Sequence, residues 1–471
     1  MAADARAPHA LLLPYPAQGH VIPFMELAHR LLDRGFAVTF VNTEFNHRCV
    51  VGTAVAASPG RRQRLRLVGI ADGMDDGEDR DNLIRLNLTM EEAMPPQLEA
   101  LLDGEGCAGE GLGTVTCVVV DVGMSWALDA AKRRGLPTAA LWAASAAVLA
   151  VLVGAKNLIR DGVIDDDGAP VKLENNSFRL AESMAPMDAT FLAWNYMMGN
   201  RDAERMVFRY LTTTAWAAVA KADVLLCNTF AELEPDIFTQ HSPASILPIS
   251  PLRTWQRPAR KAPVGHFWRS DDEACLSFLD AQPHGSVVYV AFGSLTVMSP
   301  MQLQELALAL GASGRPFLWV FRPGLAGKLP TAFTDLQLLA QHGRGKLVEW
   351  APQESVLAHS AVGCFVTHCG WNSTLEGICN GVPLLCWPYF TDQFTNQTYI
   401  CDIWRVGLRV APMDTEGIVT KEQIMGRLES LMGDSGVKER VSKFKEVAER
   451  SMSGEGQSLK NLNAFIESMR K

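Results

Sequence analysis

The sequence predicts an α/β protein made of two halves, each built around a parallel sheet. Its 471 residues exceed what one hydrophobic core usually organises, which favours two domains. Short apolar runs alternate with helical patterns along the chain, and this alternation is typical of parallel sheets. Between the two series, residues 249–267 are rich in proline and cations and have no periodicity, which indicates an interdomain linker.

The first half opens with a strand, a loop, a helix and a second strand, which predicts a βαβ unit. After the apolar run His9–Leu13, apolar side chains recur at helical spacing from Phe24 to Leu31, and Gly35 ends the helix. Residues 161–189 are polar and acidic, which predicts an insertion or long loop. The strands predicted in this half are His9–Leu13, Phe36–Val41, Cys117–Asp121 and Asp223–Phe230.

The second half repeats this scheme. Ser299 and Pro300 precede a helical run over Met301–Leu310, because serine caps helix starts and proline suits the first turn. The run from Lys438 onward is charged and helical. The predicted strands are Ser286–Phe292, Pro316–Phe321, Lys346–Trp350, Gly363–His368 and Pro383–Pro388. The predicted division is residues 1–250, a linker at 251–268, residues 269–450 and a C-terminal helix at 451–471.

Composition excludes several classes of function. The formal net charge of -9 argues against a general surface for nucleic acid or anionic membrane. We expect neither a membrane-spanning segment nor a signal peptide, because the apolar runs are short. The ten cysteines are scattered without metal-ligand spacing, so we expect no metal site and a cytoplasmic, reducing location.

Polar residues follow four of the predicted strands, where ligands of parallel sheets usually bind. These places are Gln18–His20, Asp121, Gly293–Ser294 and the turn Thr367–Gly377, with the sequence THCGWNSTLEG.

The turn Thr367–Gly377 joins a predicted strand to a predicted helix. The start of such a helix offers N–H groups and a positive dipole end to an anion. His368, Asn372 and Ser373 are suited to hydrogen bonds with a phosphate, and Glu376 is suited to a sugar hydroxyl. An ordinary helix cap remains the alternative interpretation.

His20 lies in a loop where a helix begins, and Asp121 ends another predicted strand. An acid that orients a histidine is one half of a catalytic triad, but the chain has no G-x-S-x-G nucleophile motif. The pair therefore predicts a base that deprotonates a substrate. The alternatives are a structural histidine and a helix cap by Asp121.

Trp350 ends a predicted strand, where its flat ring is suited to stacking on a base, and Gln353 is suited to the base's edge. Asp392 and Gln393 offer acceptor and donor groups to sugar hydroxyls. A core tryptophan and ordinary surface polar residues are the alternatives. Gly293–Ser294 resembles a phosphate-binding turn only weakly. No G-x-G-x-x-G follows a strand and no P-loop is present, so ordinary NAD or ATP chemistry is not supported.

Residues 350–393, WAPQESVLAHSAVGCFVTHCGWNSTLEGICNGVPLLCWPYFTDQ, closely resemble the signature box of plant family-1 UDP-dependent glycosyltransferases. Residues 14–31 and 119–137 are similar to that family's N-terminal and acidic-residue motifs. The resemblance covers essentially the whole chain. It implies the GT-B fold, with two Rossmann-like domains facing a cleft. The first domain would bind the acceptor, the second would bind the UDP-sugar, and the C-terminal helix would return to the first.

The resemblance also implies roles for individual residues. Trp350 would stack on uracil, and Ala351 and Gln353 would contact the base or ribose. Glu376 would bind the ribose hydroxyls. The diphosphate would be held by His368, Asn372, Ser373 and Ser294. The sugar would be held by Trp371, Asp392 and Gln393. Glutamine at the last position of the box implies glucose.

The implied reaction is an inverting transfer of glucose from UDP-glucose to a hydroxyl, which gives a β-glucoside. His20 would accept the hydroxyl proton, and Asp121 would stabilise the imidazolium. Helix-end N–H groups and His368 would meet the charge of the leaving UDP. No cofactor or metal is expected, since UDP-glucose is a co-substrate. We expect a small phenolic or flavonoid-like acceptor from plant secondary metabolism.

One position departs from the family pattern. A Thr or Ser hydroxyl that contacts the sugar often follows the tryptophan at position 142, but Ala143 stands there, so that contact is lost or taken by Ser145. We expect loops at 72–94 and 161–198 to shape the acceptor pocket, and residues 194–198 suggest an aromatic acceptor or part of the core.

Two other functions compete with glucosyl transfer. One is a nucleotide-sugar-binding protein without turnover, which would have no use for a base. The other is a GT-B enzyme of another class, such as a phosphorylase. For the enzyme itself we expect a monomer.

Overall fold

Each half of the chain folds around its own parallel sheet, as the sequence predicts. The computed structural model describes residues 7–53, 64–104, 114–172, 176–180, 184, 186–195, 200–240, 246–252, 267–268, 271–322, 343–410 and 417–470. Its two compact units are here called unit 1 and unit 2. Unit 1 comprises Met1–Trp255, Val264–Phe267 and Arg450–Lys471, and unit 2 comprises Gln256–Pro263 and Trp268–Glu449.

Unit 1 contains a sheet in which all pairs of neighbouring strands are parallel. Within the described residues its strands are β1 (His9–Leu13), β2 (Ala37–Thr43), β3 (Leu65–Ile70), β4 (Cys117–Asp121), β5 (Thr138–Trp142), β8 (Val224–Cys227) and β9 (Ile246–Pro248). They lie in the order β3-β2-β1-β4-β5-β8-β9. The short strands β6 (Ser177–Phe178) and β7 (Met187–Asp188) form a separate antiparallel pair.

The helices of unit 1 cover this sheet. They are α1 (Gln18–Asp33), α2 (Glu44–Thr53), α3 (Leu83–Leu102), α4 (Ala127–Arg133), α5 (Ala146–Val153), α6 (Ala155–Arg160), α7 (Arg201–Lys221) and α8 (Pro235–Gln240). Turns of 3-10 helix occur at Val122–Met124 and Ala189–Phe191. The apolar stripe of α1 is buried: Phe24, Leu27 and Leu31 are inaccessible to solvent. They share one hydrophobic cluster with residues of the C-terminal helix, including Phe465.

Unit 2 also has a fully parallel sheet. Its described strands are β10 (Val287–Ala291), β11 (Phe317–Val320), β12 (Gly345–Val348), β13 (Val362–Thr367), β14 (Leu384–Cys386) and β15 (Gly407–Arg409), in the order β12-β11-β10-β13-β14-β15.

The described helices of unit 2 are α9 (Asp272–Asp280), α10 (Pro300–Ala312), α11 (Gln353–Leu357), α12 (Trp371–Asn380), α13 (Gln393–Thr398) and α14 (Lys421–Gly433). A π-helical turn spans Tyr399–Ile403. Ser299 caps α10 by accepting a hydrogen bond from the Gln302 N–H, as its position before Pro300 predicts. The chain then runs through α15 (Ser435–Ser451) into α16 (Gln457–Ser468). Helix α16 belongs to unit 1, where Asn461 donates a hydrogen bond to the Pro248 carbonyl at 2.9 Å.

Several elements differ from the expectations. The region 72–94 is not all loop, because α3 begins at Leu83 and continues through Pro95 and Pro96, residues that usually interrupt helices. Trp194 is fully buried against Phe208 and donates to the Gly168 carbonyl at 2.7 Å, so its ring belongs to the core. Residues 196–199 lie outside the described residues, as do most of the predicted linker residues.

Among the helices that the structure describes, none combines the length and apolar composition that crossing a bilayer requires.

Candidate active site

Both large sheets reverse their strand order next to their first strand. In unit 1, β1 lies between β2 and β4, and in unit 2, β10 lies between β11 and β13. Such a reversal opens a crevice beyond the carboxyl ends of the two central strands, where open α/β sheets bind their ligands. The sequence-predicted residues His20 and Asp121 follow the central strands of unit 1, and Ser294 and His368 follow those of unit 2.

In unit 1 the crevice holds a hydrogen-bonded histidine and aspartate. His20 lies in the first turn of α1, and its Nδ1 is 2.7 Å from Oδ2 of Asp121. Asp121 is fully buried, whereas the His20 side chain keeps 31% of its accessible surface. The other carboxylate oxygen of Asp121 accepts the Gly123 N–H at 2.8 Å and so caps the 3-10 turn.

This geometry selects one form of the His20 ring. An ionised carboxylate only accepts hydrogen bonds, so Nδ1 of His20 carries the proton that points at Asp121. Nε2 then keeps its lone pair and can take a proton from a hydroxyl. Asp121 therefore caps the 3-10 turn and hydrogen-bonds His20 at the same time, so the two interpretations of its role are compatible.

Two tyrosines that the sequence did not single out surround this pair. The Tyr15 ring lies 5.2 Å from the His20 ring, and its hydroxyl donates to Oδ1 of Asn87 at 2.8 Å. The Tyr210 hydroxyl donates to the Gly123 carbonyl at 2.7 Å. Burial, and then the Asp121 charge, raise the pKa of Tyr15. Burial also raises the pKa of Tyr210, so both phenols stay neutral donors. The position of Tyr15 directly after β1 was the available sequence signal.

In unit 2 the corresponding histidine, His368, fits between two glycines. A Cβ atom on Gly293 would lie 2.6 Å from His368 Nε2, and one on Gly370 would lie 2.5 Å from the same atom. Gly293 also has a φ of 72°, which favours glycine. Cys369, between His368 and Gly370, has a φ of 65° and is held there by the Asn396 amide, which donates to its carbonyl at 2.9 Å.

His368 is electrically unlike His20. Its Nδ1 atom is buried and has no hydrogen-bond partner among the described residues. Burial lowers the pKa of His368 to about 4, since a charged ring loses its hydration there. At neutral pH the ring is uncharged, so it can offer a hydrogen bond to an anion but no positive charge.

Helix α12 begins directly after this turn. Its first intrahelical hydrogen bond runs from the Thr374 N–H to the Gly370 carbonyl at 2.9 Å, so the preceding N–H groups point beyond the helix start, where an anion is favoured. Asn372 is partly exposed in this first turn. The Trp371 ring is buried and lies 6.4 Å from the Trp404 ring, so only its backbone is available to a ligand.

Gln353 connects two of the other predicted site residues, Ser373 and Glu376, with Tyr289. Its Nε2 donates to Ser373 Oγ at 2.9 Å and to Glu376 Oε2 at 2.8 Å, and its Oε1 accepts the Tyr289 hydroxyl at 3.1 Å. Ser373 is buried and Glu376 is partly exposed. This network fixes the orientation of the Glu376 carboxylate.

Trp350 and Ala351 follow β12. The Trp350 ring is partly exposed, and Ala351 is buried. The Trp268 ring, from the end of the predicted linker, lies 4.6 Å from the Trp350 ring at an angle of 32°. One side of Trp350 is therefore covered by another indole.

Asp392 and Gln393 end the loop after β14. Gln393 is buried, and its Oε1 accepts the backbone N–H groups of Tyr389 and Phe390 at 2.8 and 3.1 Å. Among the described residues its Nε2 donates to no side chain or carbonyl, so the amide is oriented but keeps its donors. Asp392 accepts the Asn396 amide at 2.8 Å, which links this loop to the His368 turn.

Ala143 and Ser145 precede helix α5 in unit 1. Ser145 is buried and caps α5 by accepting the Val148 N–H at 3.3 Å. Buried Glu234 accepts the N–H groups of Ala146 and Ala147 at 3.0 and 2.8 Å. The Ser145 hydroxyl oxygen therefore accepts a hydrogen bond in the helix cap, and its contact with the sugar stays a prediction.

No three His, Cys, Asp or Glu side chains form a group suited to a metal ion in the part of the chain that the structure describes.

Comparison with known proteins agrees with the family resemblance of residues 350–393. A family model described as UDP-glucoronosyl and UDP-glucosyl transferase matches residues 269–449. The chain is 37% identical to UDP-glycosyltransferase 83A1 of Arabidopsis thaliana, over 98% of this chain and 96% of that protein. It is 35% identical to the (R)-mandelonitrile beta-glucosyltransferase of Prunus dulcis, over 97% and 96%. The crystal structure of Os79 from O. sativa in complex with UDP superposes with a TM-score of 0.77 at 28% identity, covering 98% of this chain and 100% of that one.

Proposed function

The chain belongs to the plant family-1 UDP-glycosyltransferases, and on that premise we propose that it is an inverting glucosyltransferase that uses His20 as its base. The GT-B class predicted from the sequence, with two Rossmann-like domains, is confirmed. Glycosyl transfer from a UDP-sugar to a small acceptor follows from membership of the family. The proposal adds the sugar, the catalytic groups, the stereochemistry and the acceptor class.

The observation that carries the proposal is the hydrogen bond between His20 and Asp121. A buried carboxylate 2.7 Å from Nδ1 leaves Nε2 as the acceptor for a proton. As the acceptor oxygen of the substrate attacks the anomeric carbon, Nε2 takes its proton, and Asp121 stabilises the imidazolium that forms. A single displacement of the α-linked UDP then gives a β-glucoside.

The donor site of the proposal lies in unit 2. Trp350 stacks on uracil, with the Ala351 backbone and Gln353 beside the base and ribose. Glu376, held by the Gln353 amide at 2.8 Å, accepts the ribose hydroxyls. The diphosphate is bound by His368, Asn372, Ser373, Ser294 and the first-turn N–H groups of α12. In this role His368 donates a hydrogen bond as a neutral ring, because burial lowers its pKa to about 4.

We propose glucose as the transferred sugar. The glucose hydroxyls are contacted by the oriented Nε2 donors of Gln393, the Asp392 carboxylate and the Trp371 backbone. The name of the mandelonitrile beta-glucosyltransferase, a relative at 35% identity, supports the same sugar. Ala143 has no hydroxyl, so the proposal assigns the sugar contacts to residues of unit 2.

We propose a small aromatic or phenolic acceptor. The Tyr15 ring beside His20 is suited to packing on an aromatic ring. Leu88 and Met206 are exposed apolar side chains, at 57% and 42%, on the same two helices that carry Asn87 and Tyr210. Acceptor identity, the monomeric state and the cytoplasmic location stay predictions.

The test combines the full chain with UDP-glucose and a panel of weakly acidic phenols. We expect UDP and a glucoside in equal amounts by mass spectrometry, and proton NMR of the product should give the β-anomer. In competition, UDP-glucose should be consumed ahead of UDP-galactose and UDP-glucuronate. Binding of UDP-glucose without product would identify a non-catalytic binder. Phosphate-dependent release of a sugar phosphate would identify a phosphorylase instead.

A further inference from the structure

A row of four residues connects the two ends of the proposed donor site in unit 2. Ser294 follows β10, Arg322 follows β11 and Trp350 follows β12, and these three strands are neighbours in the sheet. Because the strands are parallel, their carboxyl ends lie at one edge. Trp268 completes the row.

The contacts along the row are continuous. Arg322 Nη2 donates a hydrogen bond to the Ser294 carbonyl. The Arg322 guanidinium carbon lies 5.0 Å from the centre of the Trp268 ring, a distance at which a cation is attracted to an aromatic face. The Trp268 ring in turn lies 4.6 Å from the Trp350 ring.

The chemistry of the proposed function requires a positive charge at one end of this row. A departing nucleoside diphosphate gains negative charge as the glycosidic bond breaks. The start of α12 supplies only about half a unit charge, and His368 is neutral at pH 7 because burial lowers its pKa to about 4. An arginine, by contrast, stays protonated at any physiological pH, and Arg322 contacts the residue proposed to bind the diphosphate.

At the other end of the row, the spacing of Trp268 and Trp350 limits where the uracil base can stack. A base inserted between two aromatic rings would separate their centres by about 7 Å, twice an atomic contact distance of about 3.5 Å. The 4.6 Å between Trp268 and Trp350 leaves no such space. Trp268 therefore packs on one face of Trp350, and a base that stacks on Trp350 would have to use the other face.

We propose that Arg322 and Trp268 belong to the donor site. Arg322 is a binding residue that offsets the charge of the diphosphate, and Trp268 is a positioning residue that fixes the plane of Trp350. This inference rests on the proposed function, since it assigns the diphosphate to the Ser294 end and the base to the Trp350 end.

The test for Arg322 compares UDP with uridine, which has the base and ribose but no phosphates. Calorimetric titration of the full chain gives Kd for both ligands. For Arg322→Gln, which keeps a donor and loses the charge, we expect the Kd of UDP to rise roughly tenfold to a hundredfold, as the loss of a charge-assisted bond implies. The Kd of uridine should change less than threefold. Arg322→Lys should retain most of the UDP affinity.

Arg427, exposed on α14, provides the matched control, and Arg427→Ala should bind both ligands like wild type. An equal loss of UDP and uridine affinity in Arg322→Gln would overturn the charge role, as would no loss at all.

The test for Trp268 uses the same two ligands. Trp268→Ala should weaken UDP and uridine alike, by about five- to tenfold, whereas Trp268→Phe should restore binding because a ring again backs Trp350. Uracil binding should also quench less of the indole fluorescence in the alanine variant. Tighter binding by Trp268→Ala would mean that Trp268 competes with the base, and unchanged binding would mean that it does not support Trp350. Either result overturns the inference.

The two hypotheses fail in different ways. If the wild-type chain binds neither UDP nor UDP-glucose, the proposed function itself is wrong. If the wild type binds both and turns over UDP-glucose while Arg322→Gln and Trp268→Ala bind normally, only the extension of the donor site is wrong.

Discussion

The crevices of unit 1 and unit 2 have the same topology and hold histidines of opposite character. Each lies where the strand order reverses, and each places a histidine after a central strand. His20 faces a buried carboxylate at 2.7 Å and is partly exposed. His368 has a buried Nδ1 without a partner among the described residues and lies against two glycines.

The two histidines have the same residue type but different surroundings, which suit them to different roles. A carboxylate at Nδ1 fixes one tautomer and leaves Nε2 as a proton acceptor, which suits a base. A desolvated ring resists protonation, which suits a neutral donor beside an anion that must leave. One fold repeated in a chain thus supplies a group that takes up a proton and a group that does not.

The largest expected effect comes from removing the histidine of unit 1. His20→Ala should lower kcat on a weakly acidic phenol by about a hundredfold to ten-thousandfold, the usual contribution of a general base. Calorimetry should give an unchanged Kd for UDP, because the proposed donor site is in unit 2. A strongly acidic phenol serves as the control, since it ionises without help and should lose less rate. If His20→Ala turns over the weakly acidic phenol at the wild-type rate, His20 is not the base.

The second prediction concerns the Asp121 carboxylate, the hydrogen-bond partner of His20, when it is replaced by a neutral amide. Asp121→Asn keeps the shape, but when its amide oxygen accepts the Gly123 N–H, its NH2 group faces His20 Nδ1 and can donate to it only if the His20 proton moves to Nε2. We expect kcat to fall roughly tenfold to a hundredfold at pH 7.5, less than in His20→Ala. Steady-state rates over a pH series measure this. A loss of thermal stability with full turnover would instead make Asp121 a cap and nothing more.

In unit 2, a substitution that fills the space beside His368 tests whether this histidine contributes to donor binding. The new methyl group of Gly370→Ala would lie 2.5 Å from Nε2, so the ring must move away from the proposed diphosphate site. We expect the KM for UDP-glucose to rise about three- to tenfold, with a smaller change in kcat. Gly426→Ala is the control, because nothing lies within 4 Å of its methyl position. Equal KM values for Gly370→Ala and Gly426→Ala would show that His368 does not belong to the donor site.

The smallest effect is a pH dependence of stability. The pKa of His368 is lowered from 6.5 to about 4 in the folded chain, so between these values only the unfolded chain takes up the proton. Wild type therefore loses stability as the pH falls through this window, at most about 1.4 kcal/mol per pH unit and less because the ring is partly exposed. His368→Gln does not titrate. Its unfolding free energy relative to wild type should be higher at pH 5 than at pH 7.5, and an equal difference at both pH values would contradict a neutral, desolvated His368.

Much of the fold was readable from the sequence. The strands His9–Leu13 and Cys117–Asp121 were predicted with their observed bounds, because fully buried strands are continuous apolar runs. In the two large sheets, the strands β3, β5, β9 and β15 were missed, and all of them except β5 lie at sheet edges. β3 is half-exposed along most of its length and β15 has three residues, so neither has a strong apolar signal.

The candidate site was readable in part, for a different reason. His20, Asp121 and the Thr367–Gly377 turn follow strong strand signals, so their positions at the sheet edge could be predicted. Tyr210 and Arg322 could not, because Tyr210 lies in the middle of a helix and Arg322 follows a strand without any motif. Only contacts with Gly123 and Ser294, at sequence separations of 87 and 28 residues, assign them to these crevices.

The sequence by itself determined the α/β class, the family, and which polar residues end the central strands, because those properties depend on local patterns. The state of each residue depended on the tertiary structure. It buried the Trp371 ring, placed the Ser145 hydroxyl in a helix cap, hydrogen-bonded His20 to Asp121 and enclosed His368 between two glycines. Burial and long-range partners set the pKa values and the orientations of these side chains. Neither can be read from neighbouring residues along the chain, such as those that flank THCGWNSTLEG.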